Sequence, residues 1–122
     1  MSWNFKDDRP IYLQIMEQIQ LKIISGIYKA GDKLPSVRDL AVEAAVNPNT
    51  MQKALTELER EGLVYSQRTS GRFITEDNKM IKNLQEKIAE DIISNFLISM
   101  KKIGYGNEEI LSILEKNIKG EK

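Results

Sequence analysis

Two helix-start signals stand so close together in this chain that a helix begun at the first must end within about two turns before the second opens. The first is Leu34-Pro35-Ser36-Val37-Arg38-Asp39. Pro35 turns Leu34 away from helical geometry, and the Ser36 hydroxyl is placed to accept the Asp39 N–H while the Asp39 carboxylate returns the bond. The second is Asn47-Pro48, a good N-cap followed by the residue whose missing N–H costs nothing at the first helical position. Val37, Leu40 and Ala41 give one helix its buried face, and Met51, Leu55 and Leu58 give the other an inner stripe. Residues 45–47 connect them, the short connection that a helix-turn-helix requires.

The flanking segments complete a small domain. Ile11, Ile15, Ile19 and Ile23 recur every four residues, widened by Tyr12 and Met16. They predict a helix from Pro10 to Ser25, with Pro10 in its first turn and Gly26 as its stop. Ala30-Gly31-Asp32 reads as a turn. After the Asn47 helix, Gly62 is placed as a left-handed cap, and the pattern changes to β character at Leu63–Ser66 and again at Phe73–Thr75. The polar loop Gln67–Arg72 between them makes a hairpin. Trp3 and Phe5 alternate as in a short strand and are read as packing residues.

Residues 77–122 differ in character. Ile81, Leu84, Ile88, Ile92, Phe96, Met100 and Ile103 keep a helical spacing, and Ala89, Ile93 and Leu97 broaden the stripe. Gly104-Tyr105-Gly106 breaks that helix, Asn107 is placed to cap another, and Ile110, Leu111, Leu114 and Ile118 share a face. Two helices alone cannot cover so wide a stripe. The surplus must meet either the first domain or a second copy of the chain. The fold expected is therefore mostly α with a small β-hairpin. A winged helix-turn-helix domain over residues 1–76 is followed by a C-terminal helical hairpin over 77–122.

Composition removes most other classes. The chain has 122 residues, no cysteine and no histidine, so disulfides, thiolate nucleophiles, sulfur-held metals and the commonest general base are all absent. No enzyme, metal or cofactor is expected. The acidic pairs Asp7-Asp8 and Glu108-Glu109, and the set Glu57, Glu59 and Glu61, read as helix-terminal and solvated charges. No apolar run spans a bilayer, no signal peptide opens the chain, and a cytoplasmic protein is expected without membrane partners. The tail's polar face mixes acids with lysines and lacks the basic excess of a membrane-surface helix. No effector chemistry is readable in it. Lysine plus arginine equals aspartate plus glutamate at 18 each, so a nucleic-acid face must come from segregation of charge in space.

Such segregation is visible. The opening half of the third helix carries Asn47, Asn49, Thr50, Gln52 and Lys53 without an acid, and the acids begin at Glu57. In a helix-turn-helix this end of the helix enters the major groove. Arg38 lies one turn into the preceding helix, beside that groove. The loop holds Arg68 and Arg72 with the small residues Thr69, Ser70 and Gly71, which let backbone approach DNA. Lys33 and Ser36 complete the candidate DNA-contacting set. Ile88, Ile92, Ile93, Phe96, Leu97, Met100, Leu111 and Leu114 form the candidate dimerisation set.

Leu34-Pro35-Ser36-Val37-Arg38-Asp39-Leu40-Ala41 resembles the LPS-x-R-x-LA signature of GntR-type bacterial transcription regulators. Asn47 through Leu55 and Leu58-Glu59-Arg60-Glu61-Gly62-Leu63 match the same pattern, as do Pro10–Ile15 and Gly31–Pro35, so the resemblance covers about residues 9–75. It implies that Arg38 contacts DNA, that Asn47, Asn49, Thr50 and Gln52 occupy recognition-helix positions, and that Gly71 is the second glycine of a wing reaching the minor groove. Thr69 stands where the first wing glycine is usual, which implies a tip less able to take positive φ. Some branches have arginines at Pro48 and Gln52, so their base preferences do not transfer. The short two-helix tail and the Asn-Pro-Asn-Thr wording are similar to the YtrA branch, whose tails serve dimerisation and whose regulators are often linked to ABC-type transport operons. Together these readings predict a dimeric, sequence-specific DNA-binding regulator, a repressor in the simplest case, acting on a pseudo-palindromic double-stranded operator. The alternative is a winged helix used as a protein-interaction module without DNA binding, which zero net charge leaves open.

Overall fold

A computed structural model of the chain describes residues 3–120; the outermost limits of the two expected domains, residues 1–2 and 121–122, lie outside the described residues. In chain order the elements are α1 (Ile11–Ile24), α2 (Val37–Ala44), α3 (Pro48–Arg60), β1 (Val64–Gln67), β2 (Gly71–Ile74), α4 (Asn78–Lys102) and α5 (Asn107–Ile118). The fold is mostly helical with one antiparallel hairpin, as the patterning predicts. Contacts divide it into two compact units, one ending at Leu84 and one beginning at Gln85.

In the first unit α1 and α2 both pack on α3. Ile15, Ile19, Leu40, Met51, Leu55, Leu58, Val64 and Ile74 are the largest side chains fully out of solvent. Each stabilises the fold by about 1.5–3 kcal/mol. The start of α1 differs from the expected Pro10. That residue has φ −53° and ψ 138°, so it stands outside the helix as an extended N-cap. The cause is Gln14, whose buried amide accepts the Lys6 N–H at 2.7 Å and donates to the Lys6 and Arg9 carbonyls at 2.8 Å. This one side chain ties the preceding segment across the helix opening. Trp3 and Phe5 pack on the core but form no strand, and the Trp3 indole donates to Glu43 at 3.0 Å.

Both helices of the central motif start where their caps require. Ser36 Oγ accepts the Asp39 N–H at 3.1 Å, although no returning bond from the Asp39 carboxylate forms. Asn47 Oδ1 accepts the Asn49 N–H at 2.7 Å, with Pro48 opening α3. Helix α3 closes on Gly62 at φ 87°, with the Gly62 and Leu63 amides returning to the Glu59 and Leu58 carbonyls. Helix α2 closes with the same pair of bonds, Ala45 to Val42 and Val46 to Ala41, and here the left-handed residue is Ala45 at φ 58°.

The hairpin is longer than its β-rich residues suggest. Gln67 pairs with Gly71, leaving Arg68-Thr69-Ser70 as the turn. Tyr65 and Phe73 pair across the strands with stacked rings 5.7 Å apart. A third stretch of backbone joins the free side of β2: Ile74 donates to Asp32 at 2.8 Å, and Leu34 donates to Arg72 at 2.9 Å. Residues 31–34 therefore edge the hairpin, a role that the turn signal at Gly31 does not disclose.

The unit beginning at Gln85 holds most of α4, together with α5. Asn107 is the first helical residue of α5, not its cap; Gly106 precedes it in extended geometry and donates its N–H to Glu109 at 2.9 Å. Side chains of both helices face a common cleft. Ile110 is buried, while Ile92 is 61% exposed and Leu111 66% exposed. Ile92, Ile93, Phe96, Leu97, Ile110, Leu111 and Leu114 line an open apolar cleft of about 690 Å³.

Candidate nucleic-acid interface

Helix α3 presents two different faces. Met51, Ala54, Leu55 and Leu58 are buried, while Asn49, Gln52 and Lys53 are exposed and Thr50 is half-buried. The exposed side of its opening turns carries no acid. Pro48 and the Asn47 cap leave dipole-positive amides at that end. Asn47 spends its side-chain oxygen on the cap, and Gln52 makes one long bond of 3.4 Å to Thr56. The Lys53 ammonium lies 4.1 Å above the Tyr12 ring centroid, so a cation–π contact holds it toward α1.

The later acids are occupied. Glu57 pairs with Arg60 at 2.8 Å, and Glu59 accepts from Arg72 Nε at 2.5 Å and from Ser66 Oγ at 2.7 Å. Burial pushes the Glu59 carboxyl up, but the hydrogen bonds from Arg72 and Ser66 and the arginine charge outweigh it, holding its pKa below the ordinary value. The guanidinium of Arg72 is thus committed through Nε and half-buried. Arg38 and Arg68, by contrast, are exposed and have no ion-pair partner among the described residues.

Lys33, Ser36, Thr69, Ser70, Gly71 and Arg72 come together around one open cleft of about 730 Å³ between the opening of α2 and the hairpin tip. Leu34, Pro35, Val37 and Asp39 complete its wall. The approach is close enough that a Cβ on Gly71 would stand 3.1 Å from Lys33 Cε. Thr69 adopts φ 67° at the tip despite its branched Cβ. Arg38 and the α3 residues do not line this cleft; they stand exposed or half-exposed on two helices that pack together. Glu59 is not the solvated charge that its place in the sequence suggests, because nothing local links it to a residue thirteen positions later. Among the described residues no group of three or more His, Cys, Asp or Glu could hold a metal ion, and no helix is long and apolar enough to cross a membrane.

The family profile described as "Bacterial regulatory proteins, gntR family" matches residues 11–74. The HTH-type transcriptional repressor YtrA of Bacillus subtilis is 49% identical over 74 residues, which are 61% of this chain and 57% of YtrA. A solved GntR family transcriptional regulator from Listeria monocytogenes superposes with a TM-score of 0.85 at 43% identity, covering 92% of this chain and 98% of its own. The DNA-binding domain of AraR, solved in complex with operator ORX1, superposes at 0.56 with 27% identity, over 62% of this chain and 99% of that one.

Proposed function

The chain belongs to the gntR family of bacterial regulatory proteins, a family of DNA-binding transcription regulators and not of enzymes, and from that premise we propose that it is a YtrA-like repressor acting as a homodimer on a pseudo-palindromic operator. The observation that carries this reading is the division of α3. Its opening turns are exposed and acid-free, and the acids of its later turns are paired with Arg60 and Arg72. A duplex approaching α3 meets donors and a positive helix end without unpaired carboxylates from Glu57 or Glu59.

In this reading Asn49, Thr50 and Gln52 meet base edges, with Asn47 setting the helix opening and Lys53 at its margin. Arg38, Lys33, Ser36 and the tip residues Arg68, Thr69, Ser70 and Gly71 meet sugar and phosphate. The exposed apolar side chains of the unit beginning at Gln85 support the dimer, with Ile88, Ile92, Ile93, Phe96, Leu97, Met100, Leu111 and Leu114 as the surface between copies. The YtrA resemblance implies a transport operon as target. Selection of bound fragments from genomic DNA, followed by mobility shift with the recovered sites, tests the proposal. Recovery of a shared inverted repeat is expected, and no shift at low salt would leave a protein-interaction module instead.

A further inference from the structure

We infer that Glu59 is a positioning residue that seats the wing by clamping Ser66 and Arg72 against α3, and that Arg72 thereby leaves the set of phosphate contacts. The inference rests on the DNA-binding reading above and adds to it the part that fixes the hairpin tip.

Ser66 and Arg72 are direct partners in the strand register. They rise from the same face of the hairpin, one from each strand, and both donate to the same carboxylate oxygen, at 2.7 and 2.5 Å. One acceptor on α3 therefore holds both strands at once. The side chains of Arg72 and Glu59 are 20% and 30% exposed, which makes the pair better shielded than an ordinary surface ion pair. Backbone bonds hold the same residue from the other side, since the Arg72 carbonyl accepts the Leu34 N–H at 2.9 Å. Beyond the clamp only the Gln67–Gly71 pair separates it from the turn residues 68–70. At about 3.3 Å per strand residue, that arm is too short for the tip to move independently of the clamp.

Electrostatics alone makes the opposite prediction. An acid on the DNA-facing helix repels phosphates, so neutralising it should tighten binding and free Arg72 for the backbone. If the clamp holds, neutralising it loosens the tip and weakens binding.

The test compares Glu59→Gln, Arg72→Gln and the double variant with the parent chain, using a duplex that the parent selects from a random-sequence pool. Two readouts are needed: affinity across a salt series, and amide hydrogen exchange of residues 64–74 in the DNA-free protein. Each single variant should weaken binding about three- to tenfold and speed exchange at the hairpin, as expected for loss of a charge-assisted bond. The double should be no worse than either single, because both remove one interaction. Arg72→Gln should leave the salt slope unchanged. A slope reduced by about one would make Arg72 a phosphate contact and overturn the inference. Tighter binding by Glu59→Gln, or hairpin exchange unchanged in both singles, would also overturn it. A parent chain that selects no duplex would refute the DNA-binding reading itself, and hairpin exchange would then judge the clamp alone.

Discussion

Ala45 holds a backbone conformation that its side chain opposes. At φ 58° and ψ 46° it closes α2 in the left-handed region, where an L residue with a Cβ is disfavoured by roughly 1–2 kcal/mol. The two bonds that close the helix, Ala45 to Val42 and Val46 to Ala41, hold it there. Glycine accepts this geometry without the clash but loses about 0.5–1 kcal/mol of chain entropy on folding. Ala45→Gly should therefore stabilise the protein by up to about 1 kcal/mol, read as a higher urea midpoint with an unchanged slope. A lower midpoint would mean that the Ala45 methyl makes a packing contribution larger than the strain. Thr69 carries a similar cost at φ 67°. Its place at the hairpin tip puts that strain inside the proposed interface, where sparsely populated geometry is most often tolerated.

The elements divide the proposed interface by chemistry. In the proposed function helix α3 reads bases, so Gln52→Ala should cost about 1–3 kcal/mol on a selected operator and relax preference at particular positions. The same proposal has the hairpin tip touching phosphates, so Arg68→Ala should weaken binding to every duplex and lower the salt slope by about one. Measured side by side in a salt titration, an unchanged slope for Arg68→Ala would remove the tip from the backbone contacts. The joint between these elements carries a pH dependence. The Glu59 carboxyl ordinarily titrates near 4.5 and is held lower in the fold, so its contribution is complete above that value and disappears as pH falls through the lowered one. The stability difference between the parent chain and Glu59→Gln should be constant near neutrality and shrink as the pH falls below the ordinary carboxylate value. A difference that grows on acidification would reverse the sign of the argument.

What was legible in the sequence follows the same division. Ser36, Asn47-Pro48 and Gly62 announce their helix ends because a cap depends on residues within one turn. The lengths of β1 and β2 were not legible, since Gln67 and Gly71 become strand only by facing each other. Neither was the edge made by residues 31–34, nor the clamp from Glu59 to Arg72, because both depend on how the hairpin folds back on distant chain. Pro10 misled for a related reason: Gln14 ties the segment before it, and the proline is left outside α1.

At the scale of the whole molecule the two units differ in how they satisfy their apolar residues. The unit ending at Leu84 encloses a continuous core, whereas the unit beginning at Gln85 buries Ile110 and leaves Ile92, Ile93 and Leu111 more than half exposed. Apolar side chains left exposed along two helices suit burial against another surface. In the proposed homodimer a second copy, related by a two-fold axis, would supply the same stripe in complementary orientation. Such a dimer would also join two copies of α3 into one binder, so that each half-site gains from the other's occupancy. Phe96→Glu and Leu97→Glu place a carboxylate in this stripe and should yield monomers by light scattering. Circular dichroism melting of the first unit should be retained, because its core lies upstream of Gln85. Operator affinity should fall far more than affinity for a single half-site, since each recognition helix is untouched while their linkage is lost. Dimers persisting in both variants would locate the subunit contact elsewhere, and equal losses on half-site and full operator would show that the tail acts on the fold of the reading head and not on its pairing.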